Sequence, residues 1–117
     1  LDCLDVILDK ENSLDIRLAN FDELELLVES VDNAIDLQAL GMWPILLSIL
    51  EKEQESELRM YAAWVMATAT QNNPKAQEAF ERARGIPIVL KALDQDPQES
   101  VRLKSLYCLS GILISPF

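Results

Sequence analysis

Apolar residues recur along this chain at helical spacing, and short polar segments separate the apolar stretches. The longest of these patterns has apolar positions four, three and four residues apart, at Leu58, Ala62, Val65 and Ala69. Such spacing keeps one face of a helix apolar. Ser56 can cap this long helix, and Asn72-Asn73-Pro74 ends it, because proline pushes the preceding residue out of the helical region.

Similar patterns predict further helices at 1–8, 15–30, 34–40, 43–50, 75–83, 87–93 and 101–114. In the first of the long ones, the apolar positions are Ile16, Phe21, Leu24, Leu27 and Val28. Asn73 can cap the helix at 75–83, and Gly85 suits the left-handed conformation that often closes a helix. With only three glycines in 117 residues, the composition agrees with an all-helical chain.

The second half of the chain contains an internal repeat of 43 residues, which appears when Pro44 is aligned with Pro87. In this alignment apolar positions meet apolar positions, and Arg59 meets Arg102. A less regular copy lies upstream, since Ile16-Arg17 stands 42 residues before the matching Leu-Arg pair at 58–59. Periods of about 40 to 47 residues in an all-helical sequence are typical of armadillo and HEAT arrays.

The repeat predicts an all-α fold, an armadillo-like helical repeat (α-solenoid) that forms a right-handed superhelix of three-helix units. We expect a single domain at 1–117, with a degenerate first repeat at 1–40, a second at 41–83 and a truncated third at 84–117. Units of this kind cannot bury their apolar faces alone. The chain is therefore expected to be a fragment of a longer protein that is either marginally stable or self-associates through its apolar C-terminal end, at 112–117.

The charge of the chain bears on its partners. Twenty acidic and ten basic residues give a net charge of −10, which repels phosphate backbones and anionic lipid head groups. We therefore expect no nucleic-acid partner, and, since no run of 18 apolar residues occurs, no membrane span. The acidity serves as a solvated surface, with contact to a basic partner as the alternative.

The chain has little to offer for catalysis. It contains no histidine, which excludes Ser-His and Cys-His nucleophile pairs and histidine metal sites. Asp94 and Asp96 lie in a polar loop, and there is no glycine-rich phosphate loop. Cys3 and Cys108 stand far apart and are predicted to be reduced, packed side chains, which favours a reducing compartment. We expect no enzyme, no catalytic or metal-binding residue and no cofactor.

Three segments are more specific than this general architecture: 21–34, which ends in ESVDNA, 62–77, which contains QNNPKAQ, and 100–102. Together with Lys104, Leu106, Tyr107 and 109–111, they resemble the armadillo-like nucleotide exchange factors of DnaK-class heat-shock chaperones. These are the fungal Fes-type and animal Hsp-binding-protein-type factors. The resemblance runs from about residue 15 to residue 111. The family usually continues with basic and polar residues where this chain has Ile114-Ser115-Pro116-Phe117.

The resemblance implies a co-chaperone that wraps its concave face around the ATPase domain of the chaperone and promotes ADP release. It also implies a cytoplasmic protein, with the endoplasmic reticulum less favoured. The alternative is a generic armadillo adaptor that holds an extended peptide or another protein without exchange activity. Peptide-binding armadillo proteins carry a ladder of Asn and Trp on successive third helices, and here only Trp64, with Tyr107 as its match, is present.

The partner-binding site is expected at the ends of the long third helices, because these helices line the concave surface of an armadillo array. The predicted partner-binding residues are Glu29, Asp32, Asn33, Ala34, Gln71, Asn72 and Asn73. Helix capping is an equal alternative for the two asparagines at 33 and 73. Ala34 is expected to matter by being small, so that a partner surface can come close.

Two further pairs of residues match across the repeat. Arg59 and Arg102 are expected to pair with neighbouring acidic residues of the same chain. Trp64 and Tyr107 are expected in the core, with an exposed interface anchor as the alternative.

Overall fold

The structure is a computed structural model that describes residues 2–113. These residues form eight α-helices and contain no strand. In chain order the helices are Asp2–Leu8 (α1), Leu14–Leu27 (α2), Val31–Ala39 (α3), Met42–Lys52 (α4), Ser56–Thr70 (α5), Pro74–Arg82 (α6), Gly85–Gln95 (α7) and Glu99–Leu113 (α8). Most of the apolar end at 112–117, expected to self-associate, lies outside the described residues.

Helices of the same kind recur at a nearly constant spacing. The starts of α4 and α7 are 43 residues apart, as are those of α5 and α8 and those of α3 and α6, while α2 begins 42 residues before α5. This order confirms the predicted all-α, armadillo-like helical repeat. The unit boundaries at residues 41 and 84 stay a prediction. Among residues 2–113, no single helix is long and apolar enough to cross a membrane. Helices α3 and α4 reach the required length and apolar composition only when taken together, and they are bent by 87° at the break between them.

The three long helices α2, α5 and α8 lie side by side, and we call them the inner row. The central helix α5 packs against α2 on one side and against α8 on the other. Helices α1, α4 and α7 form a second layer, each packed against the inner-row helix that follows it in the chain. The inner row therefore offers one continuous face that the second layer does not cover.

The hydrophobic core lies between these two layers, and the stripe predicted on α5 faces it. Its members are all 1% exposed or less: Leu58, Ala62, Val65 and Ala69. In α2, Phe21 and Leu24 are fully buried, but Ile16 is 50% exposed, contrary to expectation. Ile16 lies at the end of the array, whereas the matching position in α5 is covered by neighbouring helices.

The helix caps differ from the sequence predictions at two positions. Ser56 is the first helical residue of α5, and Glu55 takes the cap position. Ser30 rather than Asn33 caps α3. Asn73 caps α6 as predicted, because its side-chain oxygen accepts a hydrogen bond from the third residue on, at 3.3 Å.

Gly85 was expected to be left-handed, and this prediction is wrong. The left-handed residue is Arg84, with φ of 63°, and Gly85 is already the first residue of α7. Gly85 has a packing role instead, since a Cβ atom there would lie 2.3 Å from the ring of Phe80. One repeat earlier, the left-handed residue is a glycine, Gly41, with φ of 68°.

Candidate functional site

A groove runs across the inner row where α2, α5 and the middle of α8 meet. It has a volume of about 400 Å³ and is open to solvent. Seven residues line it: Glu25, Glu29, Trp64, Thr68, Gln71, Asn72 and Tyr107. The lining combines two carboxylates, two amides and two aromatic rings, and aromatic residues are enriched at protein–protein interfaces.

The groove residues of α5 follow from helical periodicity. Trp64, Thr68 and Gln71 are four and three residues apart, so they lie on one face of the helix. Trp64 and Thr68 stand next to Val65 and Ala69 of the buried stripe and are half-buried, whereas Gln71 is exposed. At the end of the helix Asn72 adopts φ of 50°, a left-handed conformation that asparagine tolerates better than most residues.

Two hydrogen bonds across the groove connect the three inner-row helices. The hydroxyl of Thr68 on α5 donates to Oε2 of Glu25 on α2, at 2.8 Å. The hydroxyl of Tyr107 on α8 donates to Oε1 of Gln71, at 2.6 Å. These bonds hold side chains of the groove lining in place. Binding at the groove would therefore cost less conformational entropy, because these side chains are already ordered.

An aromatic row extends from the groove across the inner row. The rings of Phe21 and Tyr61 stack with centroids 5.7 Å apart, and Tyr61 lies 5.4 Å from Trp64. Lys104 of α8 places its Nζ 4.2 Å from the centroid of the Trp64 ring, a favourable cation–π distance. Trp64, which lines the groove, is thus held by contacts with Tyr61 and Lys104.

The electrostatics of the groove are dominated by carboxylates. Glu25 is 6% exposed, and this burial raises its pKa above the usual value, with a smaller upward effect from the nearby Glu29 carboxylate. The hydrogen bond from Thr68 acts in the opposite direction but does not cancel the shift. Burial likewise raises the pKa of Tyr61, whose hydroxyl donates to Asp22 at 3.3 Å. This end of the groove is suited to basic groups of a partner.

The predicted partner-binding residues divide into groove residues and others. Glu29, Gln71 and Asn72 line the groove together. Asp32 is exposed on the first turn of α3, outside the groove lining. Asn33 is half-buried, and its amide donates to the Leu27 carbonyl at 2.9 Å, which fastens the end of α2 to α3. Their partner contacts stay a prediction.

Two of the predicted residues lie in the interior. Ala34 is 1% exposed and belongs to the core, so its small side chain lies among neighbouring helices, and its contact with a partner stays a prediction. Asn73 is 3% exposed. Besides capping α6, it donates from Nδ2 to the carbonyl of Val31, 3.4 Å away on α3.

Sequence reasoning missed two of the groove residues, Glu25 and Thr68. For Trp64 and Tyr107 it favoured the core and gave an interface anchor as the alternative, and both are half-buried and line the groove. For Trp64 the sequence contained a signal of its position at the groove, because this residue lies beside Val65, just off the apolar stripe of α5. For Glu25 no such signal existed, since its partner Thr68 is 43 residues away.

Of the matched arginines, Arg59 pairs with an acidic side chain of the same chain, as predicted, whereas Arg102 binds a backbone carbonyl. Arg59 binds the carboxylate of Asp96 with two hydrogen bonds, at 2.8 and 3.2 Å. Arg102 donates to the backbone carbonyl of the same aspartate, at 2.8 Å. Among residues 2–113, no group of three or more acidic or cysteine side chains is arranged to hold a metal ion.

Comparisons with known proteins agree with the resemblance seen in the sequence. A family model described as nucleotide exchange factor Fes1 matches residues 2–37, and one described as HEAT repeat matches residues 86–115. The Hsp70 nucleotide exchange factor fes1 of Schizosaccharomyces pombe is 44% identical over 94% of this chain and 38% of its own length. The corresponding FES1 of Scheffersomyces stipitis is 39% identical over 92% of this chain and 38% of its own length.

The fold also has a solved neighbour. The crystal structure of an engineered protein superposes with a TM-score of 0.83, at 18% identity, over 99% of this chain and 47% of that one. At this identity the likeness bears on the fold alone. The chain spans about two-fifths of the length of the two curated relatives. Over that span the matches confirm the family resemblance, which is to the Fes1-type nucleotide exchange factors.

Proposed function

We propose that this chain binds the ATPase domain of an Hsp70-class chaperone through the groove of the inner row and promotes the release of ADP. The observation that carries the proposal is the groove itself, in which Glu29, Gln71 and Asn72 share one surface with Trp64 and Tyr107. The relatives named as Hsp70 nucleotide exchange factors align with more than nine-tenths of this chain. The groove therefore lies within the part of those proteins that this chain represents.

The mechanism is one of linked binding. A protein accelerates ADP release only if it binds the opened ATPase domain better than the closed, ADP-holding one, because a ligand shifts an equilibrium only by its differential affinity. A pre-organised, rigid groove suits this role, since it fits one conformation of its partner and disfavours others. The exchange factor itself needs no bond-making chemistry, and we propose that it is not an enzyme.

We also propose a cytoplasmic location and no cofactor. Cys3 and Cys108 are both free and buried, and burial raises the pKa of Cys108 to about 12. A thiol in that state is unreactive. Two unlinked thiols are compatible with the reducing environment in which cytoplasmic chaperones work.

The release of labelled ADP from an Hsp70-class ATPase domain tests the proposal. We expect wild-type chain to accelerate release in a concentration-dependent and saturable manner. Trp64→Ala should weaken the effect by about tenfold or more, as expected for an aromatic anchor at the centre of a site. The control is Glu81→Lys, at an exposed position on α6 away from the groove. This variant should accelerate the release of ADP from the ATPase domain as much as the wild type does.

A generic adaptor is the alternative, and the same assay separates it. An adaptor binds its partner but leaves the rate of ADP release unchanged. Binding to the ATPase domain without acceleration would therefore contradict exchange activity while leaving the groove as a binding surface. No binding at all would contradict both.

A further inference from the structure

A second cleft lies near the starts of the inner-row helices, whereas the groove lies in their second halves. It is open to solvent, has a volume of about 620 Å³ and is bounded by the ends of α1 and α4 and the first turn of α2. Its walls come from two neighbouring units, with lining residues between positions 8 and 55, and it shares no lining residue with the groove. We call it the α1–α4 cleft.

Arg17 is the most buried charged residue of the α1–α4 cleft, at 8% exposure. Its Nε donates a hydrogen bond to the carbonyl of Ile7 at 2.7 Å, and its Nη2 lies 3.5 Å from Oε2 of Glu53, which is long for a hydrogen bond. Within residues 2–113, Nη1 has no hydrogen-bond partner and is not sealed from solvent. Since a guanidinium has five N–H donors, most of those of Arg17 are open to a ligand in the cleft.

The matching arginine of the next unit is well supplied with acceptors. Arg59 lines a matching cleft of about 350 Å³ between α4 and α7. It donates two hydrogen bonds to the Asp96 carboxylate, at 2.8 and 3.2 Å. It also donates to the backbone carbonyls of Glu53 and Gln54, at 2.9 and 2.8 Å. The repeat therefore places an arginine in both clefts, but Arg17 lacks the two-oxygen contact with a carboxylate that its counterpart has.

Two exposed lysines, Lys10 and Lys52, also line the α1–α4 cleft. Neither forms an ion pair in the described part of the chain. The positions that match them 43 residues on are Glu53 and Gln95, so the positive charge is a property of this cleft and not of the repeat. With the arginine, the lining holds three cations and two carboxylates, in a chain whose net charge is −10. The cleft is thus suited to an anionic group.

Apolar side chains lie beside these cations. Leu8 is 42% exposed and Ile45 is half-buried, and both line the cleft together with Ile49. A small hydrated anion such as phosphate would leave this apolar surface in contact with water, whereas a peptide segment can cover it. The lining therefore favours an acidic group that is carried by a chain with apolar side chains.

We propose that the α1–α4 cleft binds a short acidic peptide segment of a partner protein, separately from the groove. A carboxylate of the segment binds the open donors of Arg17, with the two-oxygen geometry that suits a guanidinium. A neighbouring apolar side chain packs against Leu8 and Ile45, and the lysines at 10 and 52 attract further acidic groups. The net charge of the chain opposes an acidic ligand at long range, but salt at physiological concentration screens this repulsion beyond about 8 Å. The local cations therefore decide binding.

Fluorescence anisotropy of a labelled, C-terminally amidated peptide, Gly-Leu-Glu-Asp-Leu-Gly, tests the proposal with the 117-residue chain. We expect saturable binding. The same peptide with Gln and Asn in place of Glu and Asp should bind about tenfold more weakly, because a neutral amide does not form charge-assisted hydrogen bonds with a guanidinium. Inorganic phosphate is the second probe. Phosphate that shifts the amide NMR signals of the cleft, while the acidic peptide does not bind, would indicate a site for a free anion and overturn the proposal.

Substitutions of the cations place the peptide in the cleft. Arg17→Gln should weaken its binding by about tenfold, and Lys52→Gln by about twofold to fivefold, as for the loss of an exposed ion pair. Lys75→Gln makes the same change of net charge at an exposed position on α6 and should bind the peptide like the wild type. Circular dichroism checks that the helices of each variant are intact. Should Arg17→Gln unfold, the comparison of Lys52→Gln with Lys75→Gln decides.

Glu53→Gln is the sharpest variant, because it removes the carboxylate that competes with the ligand for Nη2 of Arg17. Glutamine keeps the oxygen that accepts a hydrogen bond from the Gln54 N–H, at 3.2 Å. Peptide affinity should rise by about threefold or more. Glu51→Gln, exposed on α4 and outside the cleft lining, loses the same charge and should change affinity little. The proposal is overturned if the acidic peptide does not bind, if the neutral peptide binds equally well, or if Glu53→Gln binds no more tightly than Glu51→Gln.

Discussion

At the scale of single residues, the contact between Gly85 and Phe80 shows how one missing methyl group sets the packing between units. The ring of Phe80 is fully buried and occupies the space that a side chain at residue 85 would need. It also meets Trp43 edge to face, at 5.9 Å between centroids. Helices α4, α6 and α7 are thus connected through one aromatic pair that depends on a glycine.

Gly85→Ala should destabilise the fold by about 1 to 3 kcal/mol, because the new Cβ overpacks against Phe80. Gly111→Ala is the matched control, since a Cβ there meets nothing within 4 Å. Alanine in that helix should stabilise by about 0.5 to 1 kcal/mol. Urea unfolding of the two variants measures both effects, and equal effects of the same sign would contradict this account.

The buried carboxyl of Glu25 predicts a dependence of stability on pH. Its pKa is raised in the folded state, so the folded protein binds the proton more tightly than the unfolded chain, and this group costs stability as pH rises. Glu25→Gln should therefore be more stable than the wild type at pH 7, with the gain shrinking as pH falls through the raised pKa towards the ordinary value. Thr68 can still donate to the amide oxygen.

Urea midpoints measured from pH 5 to pH 8 check this prediction. Glu23→Gln, at an exposed position of the same helix, should show no such trend. A gain that is constant with pH would indicate a change in packing and would contradict the electrostatic explanation. A stabilised Glu25→Gln that also binds an Hsp70-class ATPase domain less well would show that the acidic groove is kept at a cost in stability.

At the scale of helices and their connections, the ion pair of Arg59 and Asp96 joins α5 to the end of α7. Both side chains are close to nine-tenths buried or more, at 12% and 7% exposure. Burial alone would raise the pKa of Asp96, but the hydrogen bonds from Arg59 and from the Gln98 N–H outweigh it and hold this pKa below its usual value. The pair therefore stabilises the stacking of neighbouring units.

Asp96→Asn should cost about 2 kcal/mol at pH 7, because it leaves the buried guanidinium of Arg59 without its carboxylate. Since the pKa of Asp96 is lowered on folding, its contribution is present above the ordinary pKa of aspartate and is lost as pH falls towards the lowered value. The free energy of unfolding, measured by urea at pH 7 and pH 3, should differ less between variant and wild type at pH 3 than at pH 7. Asp94→Asn, exposed in the same helix, is the control, and an equal loss there would contradict the role of the pair.

The helices were predictable because their signals are local. The apolar stripe of α5 and the proline after Asn73 are visible in the sequence within one or two helical turns. The helix caps were less predictable. Ser56 and Asn33 have side chains that favour the N-cap position, but Glu55 and Ser30 occupy it in α5 and α3. The backbone conformation at a helix end depends on the direction that the chain takes to reach the neighbouring helix.

At the scale of the whole molecule, the repeat predicted the array but only part of the groove. Glu29, Gln71 and Asn72 could be placed at helix ends from their position in the repeat. Glu25 and Tyr107 could not, because their places depend on contacts between helices tens of residues apart. The burial of Ala34 was missed for the same reason, since the covering helices come from the next unit.

Hydrogen exchange of the chain, with and without an Hsp70-class ATPase domain in the ADP state, tests the central claim most directly. We expect the ATPase domain to slow amide exchange at the groove, over 25–29 and 64–72 and around Tyr107, with little change in α4, α6 and α7. Protection confined to those three helices, with the groove unchanged, would contradict it.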